Sequence, residues 1–376
     1  MTPDQWLEEH YLNEIFSGEF EHLKQLVDEL ELSPKCQVVT IAGTNGKGET
    51  SRSLEYLLRL AGKKTALNTS PHLVCVNERF IFSGKQIDDS ELLNVFESLQ
   101  SRLSRRISYF EFLFLSFLEL VKRSSVDVII LEVGLGGRLD ATNVIDADFA
   151  AITSISRDHQ DLLGNRYEQI LKEKAGITRC QQTVFTSFTL DYLNLKMGQI
   201  QREVGFNWYP LDSKGLDFSR SNQNLALKIA ESIIGEKLQV APFNFAKRYE
   251  WEQGAAHFDF YPSHNPEGIR KLFQFLDSSK YNNYDYLIIS FSERPWSDLN
   301  TMMEQASKKF RSDQIYYYRF EHYKALKEVK RLKLKEKFDF PILDRETFKA
   351  SDFKGRVLVT GSNYFIGHFI NAFTRS

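Results

Sequence analysis

The segment Val38-Val39-Thr40-Ile41-Ala42-Gly43-Thr44-Asn45-Gly46-Lys47-Gly48-Glu49-Thr50 constrains this chain more than any other. A β-branched run ends in a glycine-rich turn with one lysine. An amphipathic stretch follows, with Leu54, Leu57, Leu58 and Ala61 on one face. The pattern reads as strand, loop, helix. In such a unit the glycines let backbone N–H groups close around phosphate oxygens. The helix N-terminus adds partial positive charge and the lysine a full one. Gly43, Thr44, Asn45, Gly46, Lys47, Gly48 and Thr50 are therefore candidate phosphate contacts. The strict phosphate-loop pattern is not met, because Ile41 stands where a glycine is asked for and Gly48 follows the lysine instead of Ser or Thr. A tight strand-to-helix turn without a ligand is the competing reading.

A length of 376 residues allows two domains. Hydrophobic residues at 42% and charged residues at 26% are ordinary for a soluble globular protein. The net charge of −2 points to neither nucleic acid nor an anionic membrane as partner. Its distribution is uneven: residues 241–376 carry 22 Lys+Arg against 17 Asp+Glu, and the preceding 240 carry 26 against 33. The basic excess lies largely in Lys324–Lys337, where apolar residues recur at helical spacing, so it reads as a solvated helix face. Cys36, Cys75 and Cys180 are odd in number and far apart, which suits a reducing cytosol and neither a disulfide framework nor a zinc site. The N-terminus has no signal-peptide pattern, and the longest apolar stretch, Phe112–Val121, is too short to span a bilayer. A cytoplasmic monomer acting on small molecules is the expectation.

Helical spacing is read over 5–31, 49–61, 90–105, 110–123 and 167–175, and strands over 37–42, 64–68, 126–133 and 149–155. Val126–Val133 is nearly continuous in apolar residues, as expected of a parallel strand buried on both faces. The alternation implies a doubly wound parallel sheet, with ligands beyond the carboxyl ends of its strands. A polar section over 212–224 precedes a helix at Leu225–Ile234, and a boundary falls near 239–248. Strands at 257–261, 286–290, 315–318 and 356–360 then alternate with helices at 268–276, 299–310, 323–334 and 364–373. The fold class is thus α/β with two domains: a phosphate-loop-type doubly wound domain over 1–240 and a smaller Rossmann-like α/β domain over 241–376.

Two further segments lie at the same sheet edge. After the strand Val126–Val133 come Gly134, Gly136, Gly137, Arg138 and Asp140. Glu132 at that strand end could hold a nucleotide Mg²⁺, or be a capping or salt-bridged carboxylate. Arg138 and Asp140 could hold an anionic substrate or each other. After the next strand, Asp158-His159 supplies a histidine that could ligate a metal, act as a base or be structural. Lys174, just before Gly176, could simply favour the negative end of its helix.

Taken together, Gly43–Gly48, Ser70-Pro71-His72-Leu73, Asn77-Glu78-Arg79, Phe110-Glu111, Leu131–Asn143, Asp158-His159 and Glu173–Ile177 occur in the order and spacing of one family. The chain resembles folylpolyglutamate synthase/dihydrofolate synthase, a branch of the ATP-dependent Mur-type ligases, and Gly136–Asn143 resembles its bacterial bifunctional form. The resemblance implies that residues 1–240 form the ATP-binding central domain and that Lys47 and Gly43–Gly48 cradle ATP phosphates. It implies that Ser70, Glu132 and His159 hold Mg²⁺, and that Lys174 is carbamylated to support a second Mg²⁺. Asn224, Arg248 and His264 match positions around the nucleotide. Both remaining substrates, L-glutamate and a pterin-linked acid, are anionic, which gives Arg79 and Arg138 a role, with Asp140 and Asp158 beside them. Lys47, Lys174, His159 and Arg248 are the expected catalytic group.

The chain departs from the family pattern at several places, and its segment between Gly205 and Asn224 is shorter than the family's. Glu49 replaces Ser or Thr beside the phosphates, and must either turn away from them or bind Mg²⁺. Tyr261-Pro262-Ser263 stands where the family has Asp-Gly-Ala, Ser221 stands where it has glutamine, and an Asp-Lys-Asp motif is missing near Arg294–Trp296. The expected function is an ATP-dependent ligase adding L-glutamate to dihydropteroate or a folate through an acyl phosphate. The alternatives are the same chemistry on a non-folate carboxylate, or a non-catalytic nucleotide- or pterin-binding paralogue.

Overall fold

A parallel strand that is apolar on both sides needs helices on both sides, and the chain supplies them twice. The computed structural model describes residues 1–11, 20–158, 160–241, 243, 245, 247–278 and 283–374. Its contacts divide into two units, Met1–Leu216 with Arg220–Phe243, and Asp217–Ser219 with Asn244–Ser376.

The first unit contains strands β1 (Gln37–Ala42), β2 (Thr65–Asn68), β3 (Phe80–Phe82), β4 (Lys85–Gln86), β5 (Val128–Glu132), β6 (Phe149–Ile152), β7 (Thr183–Thr186) and β8 (Asn207–Pro210). They form one sheet in the order β4-β3-β2-β5-β1-β6-β7-β8, parallel from β2 to β8 with an antiparallel edge at β3 and β4. The helices are α1 (Pro3–His10), α2 (Phe20–Glu29), α3 (Lys47–Leu60), α4 (Asp89–Arg102), α5 (Tyr109–Arg123), α6 (Gln160–Leu163), α7 (Tyr167–Ala175), α8 (Asp191–Val204) and α9 (Phe218–Ile234), the last belonging to this unit from Arg220 on. Every residue of β5 is buried. Ile129 and Leu131 pack with Phe112 and Phe117 of α5 on one face, and Val128 and Ile130 with Leu54, Leu57 and Leu58 of α3 on the other.

The second unit contains β9 (Tyr249–Gln253), β10 (Ala256–Pro262), β11 (Tyr286–Ser290), β12 (Ile315–Tyr318), β13 (Ile342–Leu343) and β14 (Gly355–Gly361) in the order β13-β12-β11-β14-β10-β9, parallel except for β9. Its helices are α10 (Pro266–Ser278), α11 (Trp296–Lys309), α12 (Glu328–Phe338) and α13 (Asn363–Phe373). Ile269, Leu272, Met302, Met303 and Leu334 cover one face, while Phe365 and Phe369 of α13 meet the other through Phe258 and Phe260.

Three sequence expectations are corrected. The helix expected over 323–334 begins only at Glu328. Ala325 bridges to Ser292 and the Leu326 N–H donates to the Phe291 carbonyl, so that segment is extended along the sheet edge. The helix expected from Leu225 begins at Phe218, because tertiary partners satisfy polar side chains that disfavour helix: Ser221 bonds Ser213 and Asn222 bonds Glu49. The helical reading of 5–31 resolves into α1 and α2, with residues 12–19 outside the described set. On α12 only Leu334 is buried, in keeping with a solvated basic face. Among the described residues, no helix is long and apolar enough to cross a membrane.

Candidate functional site

Strands β5, β1 and β6 are neighbours in register, with Ile41 opposite both Glu132 and Ala151. Their carboxyl ends carry the three loops singled out in the sequence. The loop after β1 is pinned to the loop after β6. Thr44 N donates to the Ser154 carbonyl at 2.8 Å, Ser156 N to Thr44 Oγ1 at 3.0 Å, and Asn45 N to Ser154 Oγ at 3.0 Å. A Cβ at Gly43 would lie 1.9 Å from Thr153 Oγ1, so this close approach requires glycine. Gly46 is the N-cap of α3 in the left-handed region (φ 92°) and provides no side-chain cap. The first-turn N–H groups of α3 are thus not claimed by their own cap residue, which suits an anion. Thr50 Oγ1 is buried at the same turn with no hydrogen-bond partner among the described residues.

Two lysines converge on this loop. Lys47 Nζ donates to the Gly43 carbonyl at 3.0 Å and the Thr44 carbonyl at 3.3 Å. Lys174 Nζ, buried, donates to the same Gly43 carbonyl at 2.9 Å. Burial, then the nearby Lys47 charge, push the Lys174 pKa down to about 7, against the pull of Asp158 and Asp140. Lys174 therefore does more than favour a helix end: it reaches from α7 into the phosphate loop.

At the end of β5, Glu132 Oε2 accepts hydrogen bonds from Thr69 Oγ1 and from Ser70 N at 3.1 Å. Its Oε1 faces the start of α3, 3.3 Å from where a Gly48 Cβ would stand. Ser70 Oγ lies 3.6 Å, and Asp140 Oδ2 3.3 Å, from a Cβ at Gly134. A carboxylate and a hydroxyl beside a glycine-lined loop fit a hard divalent cation. His159, expected as the third ligand, lies outside the described residues. Among the described residues, the His/Cys/Asp/Glu group close enough to share an ion is Glu250, His257 and Asp259. There Lys247 and Arg356 already neutralise the acids, which disfavours a cation.

Arg138 and Asp140 do not hold each other. Arg138 Nε donates to Glu173 at 3.1 Å. Asp140 accepts from the N–H groups of Gly134, Leu135 and Thr142 and from Thr142 Oγ1, which closes the glycine-rich loop on itself; burial still raises its pKa. Arg79 is buried over Tyr109 and Phe110 and donates to His72 Nδ1 at 2.8 Å. Burial and then Arg79 push the His72 pKa down to about 3, so the ring is a neutral acceptor. Asp158 is half-buried near Lys174. Asn224 is half-buried on α9, whereas Arg248 and His264, also half-buried, belong to the second unit.

Glu49 is buried, and its Oε2 accepts a hydrogen bond from Asn222 Nδ2 at 2.7 Å. Sequence reasoning missed Asn222, for which no local pattern exists. It also missed the clamp of Thr153, Ser154 and Ser156, although hydroxyl residues crowding a strand end beside a glycine-rich loop were a usable signal.

Comparison with known proteins adds the lineage. The Mur ligase middle domain family matches residues 41–203. The dihydrofolate synthase/folylpolyglutamate synthase of Escherichia coli (strain K12) is 49% identical over 152 residues, 40% of this chain and 36% of that protein. The protein of the same name from Buchnera aphidicola subsp. Baizongia pistaciae (strain Bp) is 31% identical over 287 residues, 69% of this chain and 67% of that protein. The alignment thus spans little more than a third of the first relative and about two thirds of the second. A crystal structure of bifunctional folylpolyglutamate synthase/dihydrofolate synthase from Yersinia pestis c092, complexed with AMPPNP and Mn ion, superposes with a TM-score of 0.83 at 27% identity, covering 100% of this chain and 98% of that one. A relative matched over two thirds of its length, and a solved fold matched almost end to end, carry the conclusion: the chain belongs to the folylpolyglutamate synthase/dihydrofolate synthase family.

Proposed function

We propose that the chain is an ATP-dependent amide ligase that joins L-glutamate to a pterin-linked acid, dihydropteroate or a folate, through an acyl phosphate. The observation that carries this reading is the meeting of Lys47 and Lys174 on the Gly43 carbonyl, beside the uncapped start of α3. The Lys47 ammonium and a row of backbone donors suit a polyphosphate, and the second amine, once carbamylated, would bring a metal to it instead of a charge of its own. The synthase relatives, and the Yersinia pestis protein complexed with AMPPNP and Mn ion, support the same substrate class.

In this reading Lys47 and the first-turn amides align the γ-phosphoryl group with the substrate carboxylate. A carboxylate oxygen bonds to the γ-phosphorus as the bond to ADP breaks. The glutamate amine then attacks the acyl carbon, loses a proton, and phosphate leaves. No enzyme nucleophile is required. Glu132 and Ser70, with His159, would hold Mg²⁺, which supplies charge neutralisation at the phosphates. The lowered pKa leaves part of the Lys174 amine uncharged near neutrality, the form that adds carbon dioxide, loses a proton and becomes a carbamate. Such a carbamate would support a second Mg²⁺. Arg138, half-exposed, is assigned to an anionic substrate; Asp158, close to Lys174, is assigned to the same substrate, while Asp140 and Arg79 hold their own segments. Asn224, Arg248 and His264 are assigned to the nucleotide. Cys36, Cys75 and Cys180, which form no disulfide among the described residues, suit a cytoplasmic setting.

The test is phosphate release from ATP with Mg²⁺ and L-glutamate, with dihydropteroate and tetrahydrofolate supplied separately. Release that requires glutamate and one of the acids supports the reading. ATP hydrolysis indifferent to both, or none at all, overturns it.

A further inference from the structure

We infer that Asn143 is a positioning residue for Lys174: its side-chain amide ties the glycine-rich loop after β5 to the end of α7 and so fixes where the Lys174 amine meets the phosphate loop. The inference rests on the ligase reading above for what Lys174 does, and adds to it a residue that acts through another.

Lys174 is the next-to-last residue of α7, and its buried amine donates to the Gly43 carbonyl at 2.9 Å. A helix end leaves carbonyls that the helix itself cannot satisfy. Here groups from outside the helix meet them. Arg138 N, in the loop after β5, donates to the Glu173 carbonyl at 2.9 Å. Asn143 Nδ2 donates to the Arg138 carbonyl at 2.9 Å and to the Gly176 carbonyl at 3.1 Å. Its Oδ1 accepts from Arg179 Nη2 at 3.0 Å, and Arg179 Nη1 donates to the same Gly176 carbonyl at 3.1 Å. Asn143 is only 5% exposed, so bulk water cannot take over these bonds. Loop and helix end also meet backbone to backbone. A Cβ at Gly137 would lie 2.9 Å from the Lys174 carbonyl oxygen, and one at Gly176 would lie 2.8 Å from Arg138 Cα.

The geometry calls for an amide. One nitrogen serves carbonyls of two segments while the oxygen of the same group faces a guanidinium, so a hydroxyl has too few donors and a carboxylate has none. The loop hangs from the strand that ends in Glu132, and the helix carries Lys174. The amide therefore sets the spacing between the acid and the amine. A lysine amine rides on a flexible four-carbon stem, and it can keep one carbonyl as its partner only if its own backbone is held. If Asn143 merely added stability, its loss would lower the unfolding temperature without singling out Lys174.

The test is acetylation of lysines by acetic anhydride, read by mass spectrometry on the full chain in carbon-dioxide-free buffer, with thermal unfolding measured alongside. The readout is the rate at Lys174 divided by that at Lys172, which is exposed on the same helix. Asn143→Asp keeps the volume and the Arg179 contact but removes the donors; it should raise this ratio about tenfold or more. Leu99→Ala, which opens a cavity in the core under α4, should leave the ratio within about twofold of wild type at an equal margin below its unfolding temperature. Arg179→Met removes the anchor of the amide and one donor to Gly176; it should raise the ratio about threefold or more, and it decides the matter if Asn143→Asp fails to fold. In turnover the Asn143→Asp defect should fall on kcat, with the KM for ATP within about threefold of wild type. The inference is overturned if Lys174 stays as protected as in wild type, or if Leu99→Ala frees it equally. It is also overturned if Asn143→Asp frees Lys174 and turnover stays normal. A wild type that releases no phosphate overturns the ligase reading instead, and the labelling ratio still decides whether Asn143 holds Lys174 in place.

Discussion

Replacing Lys174 by Met removes a buried amine while keeping most of its volume. Between the folded pKa of about 7 and the ordinary value of 10.5, the unfolded chain holds a proton on Lys174 that the folded chain has given up. Stability must therefore rise with pH across that window. Below it both states are charged and the burial penalty is complete, roughly 5 kcal/mol for a shift of this size. Integrated, the penalty is roughly 4 kcal/mol at pH 7 and about 1 kcal/mol at pH 9.5. Met titrates nowhere. Set against about 1 kcal/mol for the lost hydrogen bond to Gly43, Lys174→Met should be more stable than wild type at pH 7 by about 3 kcal/mol. That advantage should vanish by pH 9.5. Urea unfolding followed by circular dichroism at the two pH values, in carbon-dioxide-free buffer, measures it, and taking the difference between variant and wild type cancels the other titrating groups. Parallel pH profiles would refute the reasoning, because they would mean that Lys174 stays charged in the folded chain. Lys47→Ala offers a second check: without its neighbour's charge, the Lys174 pKa should climb and the wild-type slope move to higher pH.

Lys47→Ala should also lower ATP turnover by about two to three orders of magnitude through loss of one preorganised charge, with the thermal unfolding temperature little changed. Near-normal turnover would remove the phosphate role of the loop. Gly46→Ala, at φ 92° and with its methyl 2.4 Å from Asn222 Oδ1, should cost about 1–3 kcal/mol in denaturant unfolding, and a neutral result would mean the turn can open. In the second unit, burial would raise the Asp259 pKa, but hydrogen bonds from Arg356, Lys247 and Tyr284 outweigh it and hold the carboxyl below its usual range. Its contribution is complete at neutral pH and lost as pH falls through that depressed value. Asp259→Asn should thus cost about 3–5 kcal/mol at pH 7 and converge on wild type in acid.

What could be read in advance was local. Val128–Glu132 announces a doubly covered strand through its unbroken apolar run, and Gly43–Lys47 announces a loop because only glycine fits at Thr153. The strand β8 was missed for a physical reason: mostly exposed at the sheet edge, Asn207–Pro210 has no apolar pattern to read. The roles of Asp140 and Arg79 were illegible for another reason. Both residue types suit a substrate, and only the fold reveals that Asp140 is occupied by its own loop and Arg79 by His72. Glu49 stood out as an anomaly on the line of sequence; its partner is 173 positions away on a helix whose start the polar composition concealed.

The position of the loops within the first sheet has a consequence for how the protein fails. They hang from β5, β1 and β6, with three strands on one side and two on the other. Sheets fray from their borders, and hydrogen exchange reports the border strands opening long before the middle ones. Amides of β4 and β8 should thus trade with solvent readily while those of Val39–Ile41 and Ile129–Leu131 persist to the global limit. A chain that is partly melted at its margins can then still present the two lysines to one carbonyl, and the site should disappear only when the whole unit does.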